Sequence, residues 1–195
     1  MTIQKKAEAK LPTHWGDFSV IAYEDEVKDE EHLLLYMGDL ANDSLLRIHS
    51  QCLTGDTLYS LKCDCGDQLH AAMQLMADSN GGILVYLAQE GRDIGLLNKM
   101  RAYALQDSGL DTVDANHALG FHTDERLFMP AARILQALDV SKIQLITNNP
   151  DKISQLEQYG INVTKRVPLA LETNPHNHGY LKTKKTRTGH LIDKI

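Results

Sequence analysis

The sequence predicts an α/β fold in a single compact domain: a mixed sheet with packed helices and a strand-rich N-terminal part. Three observations carry this expectation. The 195-residue length fits one compact unit on the prior of roughly 150 residues per domain. The first fifty residues carry β-like apolar runs, and from Asp67 helical and strand patterns alternate, as helices packed on a mixed or parallel sheet require. A composition of 43% hydrophobic and 24% charged residues excludes a disordered chain. No internal repeat and no linker-like segment interrupts the chain. The expected organisation is a strand-rich start over about 1–66, alternating helix and strand over about 67–170, and a polar basic tail over about 175–195.

Taken in order, Phe18–Tyr23, His32–Tyr36 and Ser44–His49 read as strands, with the acidic, turn-like stretch Glu24–Glu31 between the first two. From Asp67, the residues Leu69, Ala72, Met73 and Met76 recur at i, i+3, i+4 and i+7, one apolar helical face, and Gly81-Gly82 stops that helix before the strand Ile83–Leu87. A second helix is expected from about Leu96 to Gln106, closed by Gly109, and a third from about Glu125 to Leu138 on Leu127, Ala131, Ile134, Leu135 and Leu138. Lys142–Thr147 reads as a buried strand. Asn149 then supplies an N-cap and Pro150 the first helical position of a helix running to Tyr159, ended by Gly160 and followed by the strand Ile161–Val167. The tail residues Lys182, Lys184, Lys185 and Arg187 read as a solvated basic run.

The net charge of −6 argues against sequence-independent nucleic-acid binding, which depends on many Lys and Arg contacts to phosphates. An anionic ligand would need a locally basic pocket. The apolar runs fall far short of the ~20 residues that span a bilayer, and the N-terminus is too polar for a signal peptide, so a cytoplasmic chain with reduced thiols and no membrane partner is expected.

All three cysteines fall within fourteen residues, as Cys52, Cys63 and Cys65. Thiolates suit zinc; a structural zinc wants four ligands, whereas a catalytic zinc keeps three from the protein and leaves one position open. Three cysteines with no fourth match the open kind. A histidine such as His49 or His70 closing a structural site, or three buried thiols without metal, are the alternatives that spacing leaves open. An open site would supply an activated water, and its three thiolates, with a formal charge near −1, would call for a nearby proton-transfer group.

Arg47-Ile48-His49-Ser50-Gln51 runs directly into Cys52 and is unusually polar for a strand end. Gln89-Glu90-Gly91-Arg92-Asp93-Ile94-Gly95-Leu96 leaves one strand and enters a helix, as does Thr147-Asn148-Asn149-Pro150-Asp151-Lys152; helix N–H groups at such places suit anions. The second of these also reads as ordinary helix capping. No Walker loop is present. Asp124-Glu125-Arg126 reads as a helix opening with acids complementing the dipole.

Together and in order, these pieces resemble the GTP cyclohydrolase II family, zinc hydrolases of riboflavin biosynthesis. The resemblance covers essentially the whole chain. It includes Trp15-Gly16-Asp17-Phe18, Arg47-Ile48-His49-Ser50, Cys52-Leu53-Thr54-Gly55-Asp56, Lys62-Cys63-Asp64-Cys65-Gly66, Gln89-Glu90-Gly91-Arg92, Asn98-Lys99, Arg101-Ala102-Tyr103-Ala104, Asp111-Thr112-Val113-Asp114, Thr147-Asn148-Asn149-Pro150 and Arg166-Val167-Pro168-Leu169.

The resemblance implies hydrolysis of GTP at C8 of the guanine, with release of formate and pyrophosphate to give 2,5-diamino-6-ribosylamino-4(3H)-pyrimidinone 5′-phosphate. It implies one zinc per subunit, magnesium with the triphosphate, and a homodimer. By the same resemblance, Cys52, Cys63 and Cys65 hold the zinc, Tyr103 sits beside the imidazole ring, Asp124 accepts a proton, and Arg126 engages the α-phosphate, either as a nucleophile in pyrophosphate release or as an electrostatic clamp. A guanidinium is a poor nucleophile, which favours the clamp. Arg47, Ile48, His49, Ser50, Gln51, Gln68, Glu90, Gly91, Arg92, Thr112, Thr147 and Lys152 would line the GTP site, with Glu90 reading the guanine N1–H and 2-amino edge. Two positions depart from the family pattern: Gln51 stands where Glu is common and Ala88 where Arg is common. They keep a second reading in view, a zinc-stabilised GTP-binding or regulatory homologue or a partial-reaction variant.

Overall fold

The computed structural model describes residues 3–192; the last three positions of the expected basic tail lie outside the described residues. The elements run in the order β1 (Ile3–Thr13), β2 (Gly16–Asp25), β3 (Glu30–Met37), β4 (Ser44–Ser50), α1 (Leu53–Asp56), α2 (Cys65–Asp78), β5 (Gly82–Leu87), α3 (Glu90–Asp93), α4 (Gly95–Asp107), α5 (Thr112–Ala118), α6 (Met129–Gln136), β6 (Lys142–Ile146), α7 (Pro150–Gln158), β7 (Asn162–Val167) and α8 (His178–Arg187). The strands form one seven-stranded sheet ordered β1-β2-β3-β5-β4-β6-β7. β1, β2 and β3 pair antiparallel, β3 pairs antiparallel with β5, and β4, β6 and β7 run parallel. The mixed sheet, the packed helices and the strand-rich start therefore stand as the sequence predicts.

Two compact units divide the chain. Unit 1 takes residues 1–49, 70–88 and 127–169 and carries the sheet; unit 2 takes 50–69, 89–126 and 170–195. The core of unit 1 is made by Ile21, Leu34, Leu46, Ile48, Ile83, Val85 and Leu87 of the strands with Phe128, Ala131, Ile134 and Leu135 at and within α6 and Ile143 and Leu145 of β6. Alternation along β2 buries Phe18, Ile21 and Tyr23. β5 is buried almost throughout, as expected of a strand in the middle of a covered sheet.

Four local outcomes differ from the sequence expectation. β1 forms an eleven-residue strand that is exposed along nearly its whole length, so it shows no apolar alternation to read; its Pro12 is tolerated because an edge strand leaves that side of its ladder open. The third helix does not begin at Glu125. α6 starts at Met129, with Pro130 in its first turn, and the Phe128 N–H goes to Gln155 Oε1 at 2.9 Å. Asp124-Glu125-Arg126 is therefore an ordered loop and not a helix opening. α5 arises on an Asp111 N-cap whose carboxylate accepts from the Val113 and Asp114 N–H groups at 2.8 and 2.9 Å. The basic tail is in large part the packed helix α8, with Leu181, Thr183 and Lys184 buried.

Candidate active site

Unit 2 gathers the three cysteines. Cys52 precedes α1, Cys63 ends the following loop and Cys65 opens α2, and their sulfurs lie within 4.8 Å of one another, with Cys52 and Cys63 Sγ 3.7 Å apart. The convergence depends on Gly55: a β-carbon there would stand 2.9 Å from Cys63 Sγ and 3.2 Å from Cys52 Sγ. Gly66 has no room either, since a β-carbon would collide with the Gly55 carbonyl. Asp56 closes the turn by accepting the Cys52 N–H at 2.9 Å.

The thiols share their protons unequally. Hydrogen bonds from Cys63 and Cys65, with the nearby Lys99 ammonium, hold Cys52 far below the ordinary thiol range, while the Cys52 sulfur in turn pushes Cys63 up to about 11 and Cys65 well above its usual value. One thiolate forms readily, and a soft cation would displace the remaining protons. Three convergent sulfurs of this kind fit a zinc ion with one position open.

Lys99, to which sequence reasoning gave no role, meets the cluster from α4. It is 7% exposed, and its Nζ donates to Cys52 Sγ at 3.1 Å and to Glu90 Oε1 at 2.7 Å. Glu90 also accepts the Gly91 N–H at 2.8 Å and the Leu53 N–H at 2.6 Å. Its two oxygens thus accept donors of the chain itself, so that Glu90 holds Lys99 and the residue after Cys52. Tyr103, also on α4, lies with its hydroxyl 3.5 Å from Thr54 Oγ1; burial raises its pKa to about 12.

The loop from Glu90 to Gly95 has left-handed backbone at Gly91, Arg92, Asp93 and Gly95, a conformation that costs energy at the two non-glycine residues. It is fixed by Arg92, whose Nη1 donates to the Thr123 carbonyl at 2.9 Å and whose own carbonyl accepts from the Glu125 N–H at 3.3 Å. Those contacts place Asp124 and Arg126. The guanidinium grips the carboxylate by two bonds, Nε to Oδ1 at 2.8 Å and Nη2 to Oδ2 at 2.6 Å, and lies 3.4 Å from Ser50 Oγ. Burial would raise the Asp124 pKa, but the Arg126 charge outweighs it and the net shift is downward. Asp64, between two cysteines, accepts from Lys184 at 2.6 Å and from Gln68 at 2.5 Å. Gln51 and Thr112 are half-buried in this unit.

The other expected residues lie in unit 1, at the carboxyl ends of the parallel strands β4 and β6. Arg47 is buried and donates to the Ile146 carbonyl at 3.1 Å, and Lys152 donates to the Ile48 carbonyl at 2.7 Å. The Ile48 side chain belongs to the core. His49 stacks on Tyr86 with ring centroids 5.5 Å apart, and the Thr147 hydroxyl accepts the Asn149 N–H at 3.0 Å. Asn149 caps α7 as its sequence signal promised.

A mixed sheet with helices and a cluster of three convergent thiols, beside a buried ammonium, defines an α/β protein with residues that could hold a metal. Comparison with known proteins narrows that class. A family model described as GTP cyclohydrolase II matches residues 4–168. The chain is 55% identical over 196 residues to the GTP cyclohydrolase-2 of Hamiltonella defensa, covering 100% of both chains. It is 52% identical over 195 residues to that of Pectobacterium atrosepticum, covering 99% of each, and 52% identical over 196 residues to that of Escherichia coli, covering 100% of each. Among solved structures, a two-domain 3,4-dihydroxy-2-butanone 4-phosphate synthase from A. baumannii is similar with a TM-score of 0.46 at 18% identity, over 88% of this chain and 41% of that one. The chain belongs to the GTP cyclohydrolase II family, and it is a hydrolase. None of its described helices is long and apolar enough to cross a membrane.

Proposed function

We propose that the chain hydrolyses GTP at C8 of the guanine, releasing formate and pyrophosphate and leaving 2,5-diamino-6-ribosylamino-4(3H)-pyrimidinone 5′-phosphate, the first step of riboflavin biosynthesis. The observation that carries this is the convergence of Cys52, Cys63 and Cys65 within 4.8 Å in a chain matched by the GTP cyclohydrolase II model over residues 4–168. Cys52, Cys63 and Cys65 would hold zinc, one per subunit, which supplies a water acidified from a pKa of 15.7 toward roughly 7. Magnesium would accompany the triphosphate. A homodimer in the cytoplasm is part of the same reading.

The chain's own residues supply the rest. Arg126, whose Nε and Nη2 are held by Asp124, meets a phosphate as a permanently charged electrostatic clamp. Asp124 is ionised beside it, and accepts a proton once a phosphate competes for the guanidinium and weakens the ion pair. Tyr103 stays protonated at neutral pH, so its hydroxyl donates toward the reacting base. Arg47, Ile48, His49, Ser50, Gln51, Gln68, Gly91, Arg92, Thr112, Thr147 and Lys152 remain the proposed GTP-binding residues, and Arg47, Arg92 and Lys152 offset triphosphate charge in a protein whose net charge is −6. Glu90 belongs to the same proposed set as the reader of the guanine edge, and it also holds Lys99.

The test incubates zinc-loaded protein with GTP and magnesium while formate, pyrophosphate and the pyrimidine product are followed together, with Cys63→Ser as control. All three products should appear in step, with a silent control. GTP binding without release would instead support a binding homologue. Formate without pyrophosphate would mean a partial reaction. Gln51→Glu belongs in the same series: the expected change in turnover is small, and a gain of roughly a hundredfold or more, the scale of a restored general base, would show that Gln51 disables the site.

A further inference from the structure

Lys99 has an environment that an ordinary surface lysine of a helix does not. Its ammonium lies 3.1 Å from Cys52 Sγ and 2.7 Å from Glu90 Oε1 at 7% exposure. Burying an ammonium is costly unless it is paired and hydrogen-bonded. Here both partners are provided, and the backbone is shaped to admit it. Gly91 packs on the stem of the lysine: a β-carbon at that glycine would meet Lys99 Cβ at 3.0 Å, and the glycine's left-handed backbone disfavours any side chain there. Glu90 reaches the cysteine turn on its other side, accepting the N–H of Leu53, the residue directly after Cys52. One carboxylate thereby holds both the lysine and the sulfur it addresses. Two backbone N–H groups also donate to Glu90 and fix its carboxylate in place.

We propose that Lys99, held by Glu90, is a positioning residue of the metal centre, whose ammonium donates a charge-assisted hydrogen bond to the Cys52 thiolate and so lowers the electron density that this sulfur gives to the metal. The inference rests on the reading that Cys52, Cys63 and Cys65 hold zinc. Its chemical consequence is specific. Three thiolates and a divalent zinc sum to a charge of about −1, which weakens the metal as a Lewis acid. A hydrogen bond to a metal-bound sulfur draws density from the thiolate, as such partners do around other metal ligands. The ammonium also stabilises the anionic set in a poorly solvated place, so that removing it should loosen the metal and make the sulfur a better nucleophile.

Cobalt(II) serves as the spectroscopic probe and zinc as the functional metal, in the parent protein and in the Lys99→Met, Lys99→Gln, Lys99→Arg and Glu90→Gln variants. In Lys99→Met the thiolate-to-cobalt charge-transfer band should move to longer wavelength, iodoacetamide should alkylate the zinc-loaded cysteines faster, and chelator competition should show zinc affinity roughly tenfold to a hundredfold lower. Lys99→Arg should restore most of the band position, and Glu90→Gln should fall between it and Lys99→Met. If Lys99→Met does not fold, the neutral but polar Lys99→Gln decides: a band at the parent position overturns the proposal. A folded Lys99→Met with unchanged band, alkylation rate and affinity overturns it as well. A parent protein that takes up cobalt with no thiolate band overturns the metal reading itself, and this inference with it, an outcome distinct from failure of the lysine alone.

Discussion

At the scale of single residues, the cysteine cluster is decided as much by what is missing as by what is present. A β-carbon on Gly55 would lie 2.9, 3.0 and 3.2 Å from Cys63 Sγ, Cys65 Cβ and Cys52 Sγ, tighter than atoms of a close-packed interior tolerate. Gly55→Ala should therefore spread the sulfurs while leaving the thiols in the chain: zinc bound per chain, measured by atomic absorption after dialysis, should drop well below one, while the count of titratable thiols in denaturant stays at three. Full zinc occupancy in that variant would show that the turn can yield. The cysteines were legible because their chemistry is local in sequence and rare in type. Lys99 was not, because a lysine in a helix ordinarily reads as a solvated stem, and its burial comes from Gly91 and Glu90 on a loop whose left-handed backbone no periodicity announces. The holding role of Glu90 was hidden for the same reason: a carboxylate in sequence shows that it can accept, whereas the structure shows that Lys99, Leu53 and Gly91 donate to it.

At the scale of elements, the patterned ones were readable and the rest were made by tertiary partners. β2, β3, α2, β5 and α7 follow alternation, a 3.6-residue face or a cap. β1 and α8 do not: β1 is recruited by a long antiparallel hairpin with β2, and α8 has polar residues on every side. α8 is held by the buried Leu181 together with its ion pairs. Lys184 reaches Asp64 at 2.6 Å with its ammonium 4.4 Å from the Tyr180 ring centroid, and Arg187 reaches Asp111 and Asp114 at 2.5 and 2.9 Å. The Arg187 pairs are exposed and each contributes little. The Lys184 pair is buried, and Asp64 sits between two of the cysteines. Lys184→Met would leave that carboxylate with the Gln68 amide as a side-chain donor and should cost about 3–5 kcal/mol in urea denaturation, the range for one partner lost from a buried pair. Asp64→Asn combined with Lys184→Met should recover a good part of the loss, because it removes the stranded charge. Additive losses in the double variant would mean that the two residues act separately.

At the scale of the whole molecule, acid should weaken the fold from just below neutrality, and the reason is that several shifts point the same way. His190 accompanies the end of α8, its N–H bonded to the Lys184 carbonyl at 3.1 Å and its ring 2.9 Å from Thr188 Oγ1. Burial, and then the charge of Lys184, depress its pKa to about 4. Between the unfolded value near 6.5 and about 4 the unfolded chain binds a proton that the folded chain refuses, so stability falls as pH falls across that window, by at most about 1.4 kcal/mol per pH unit for one group. The carboxylates take over where the histidine stops. Asp64, Asp111 and Asp124 are all held below their ordinary values, with Lys184 opposing burial at Asp64, helix N–H groups and Arg187 opposing it at Asp111, and Arg126 opposing it at Asp124. Groups shifted downward contribute stability that is complete above their unfolded pKa and is lost as pH drops through the folded one. All of these groups lie in unit 2, together with the cysteines, whose metal binding protons also oppose. Denaturation of the metal-free protein at a series of pH values should show midpoints that fall more steeply below about 6.5 than above it, where only the depressed Cys52 thiol contributes. His190→Gln should flatten the first part of that fall and leave the part below pH 4 unchanged. A parent curve level down to pH 5 would place the histidine in water and remove the charge coupling that ties the end of α8 to Lys184.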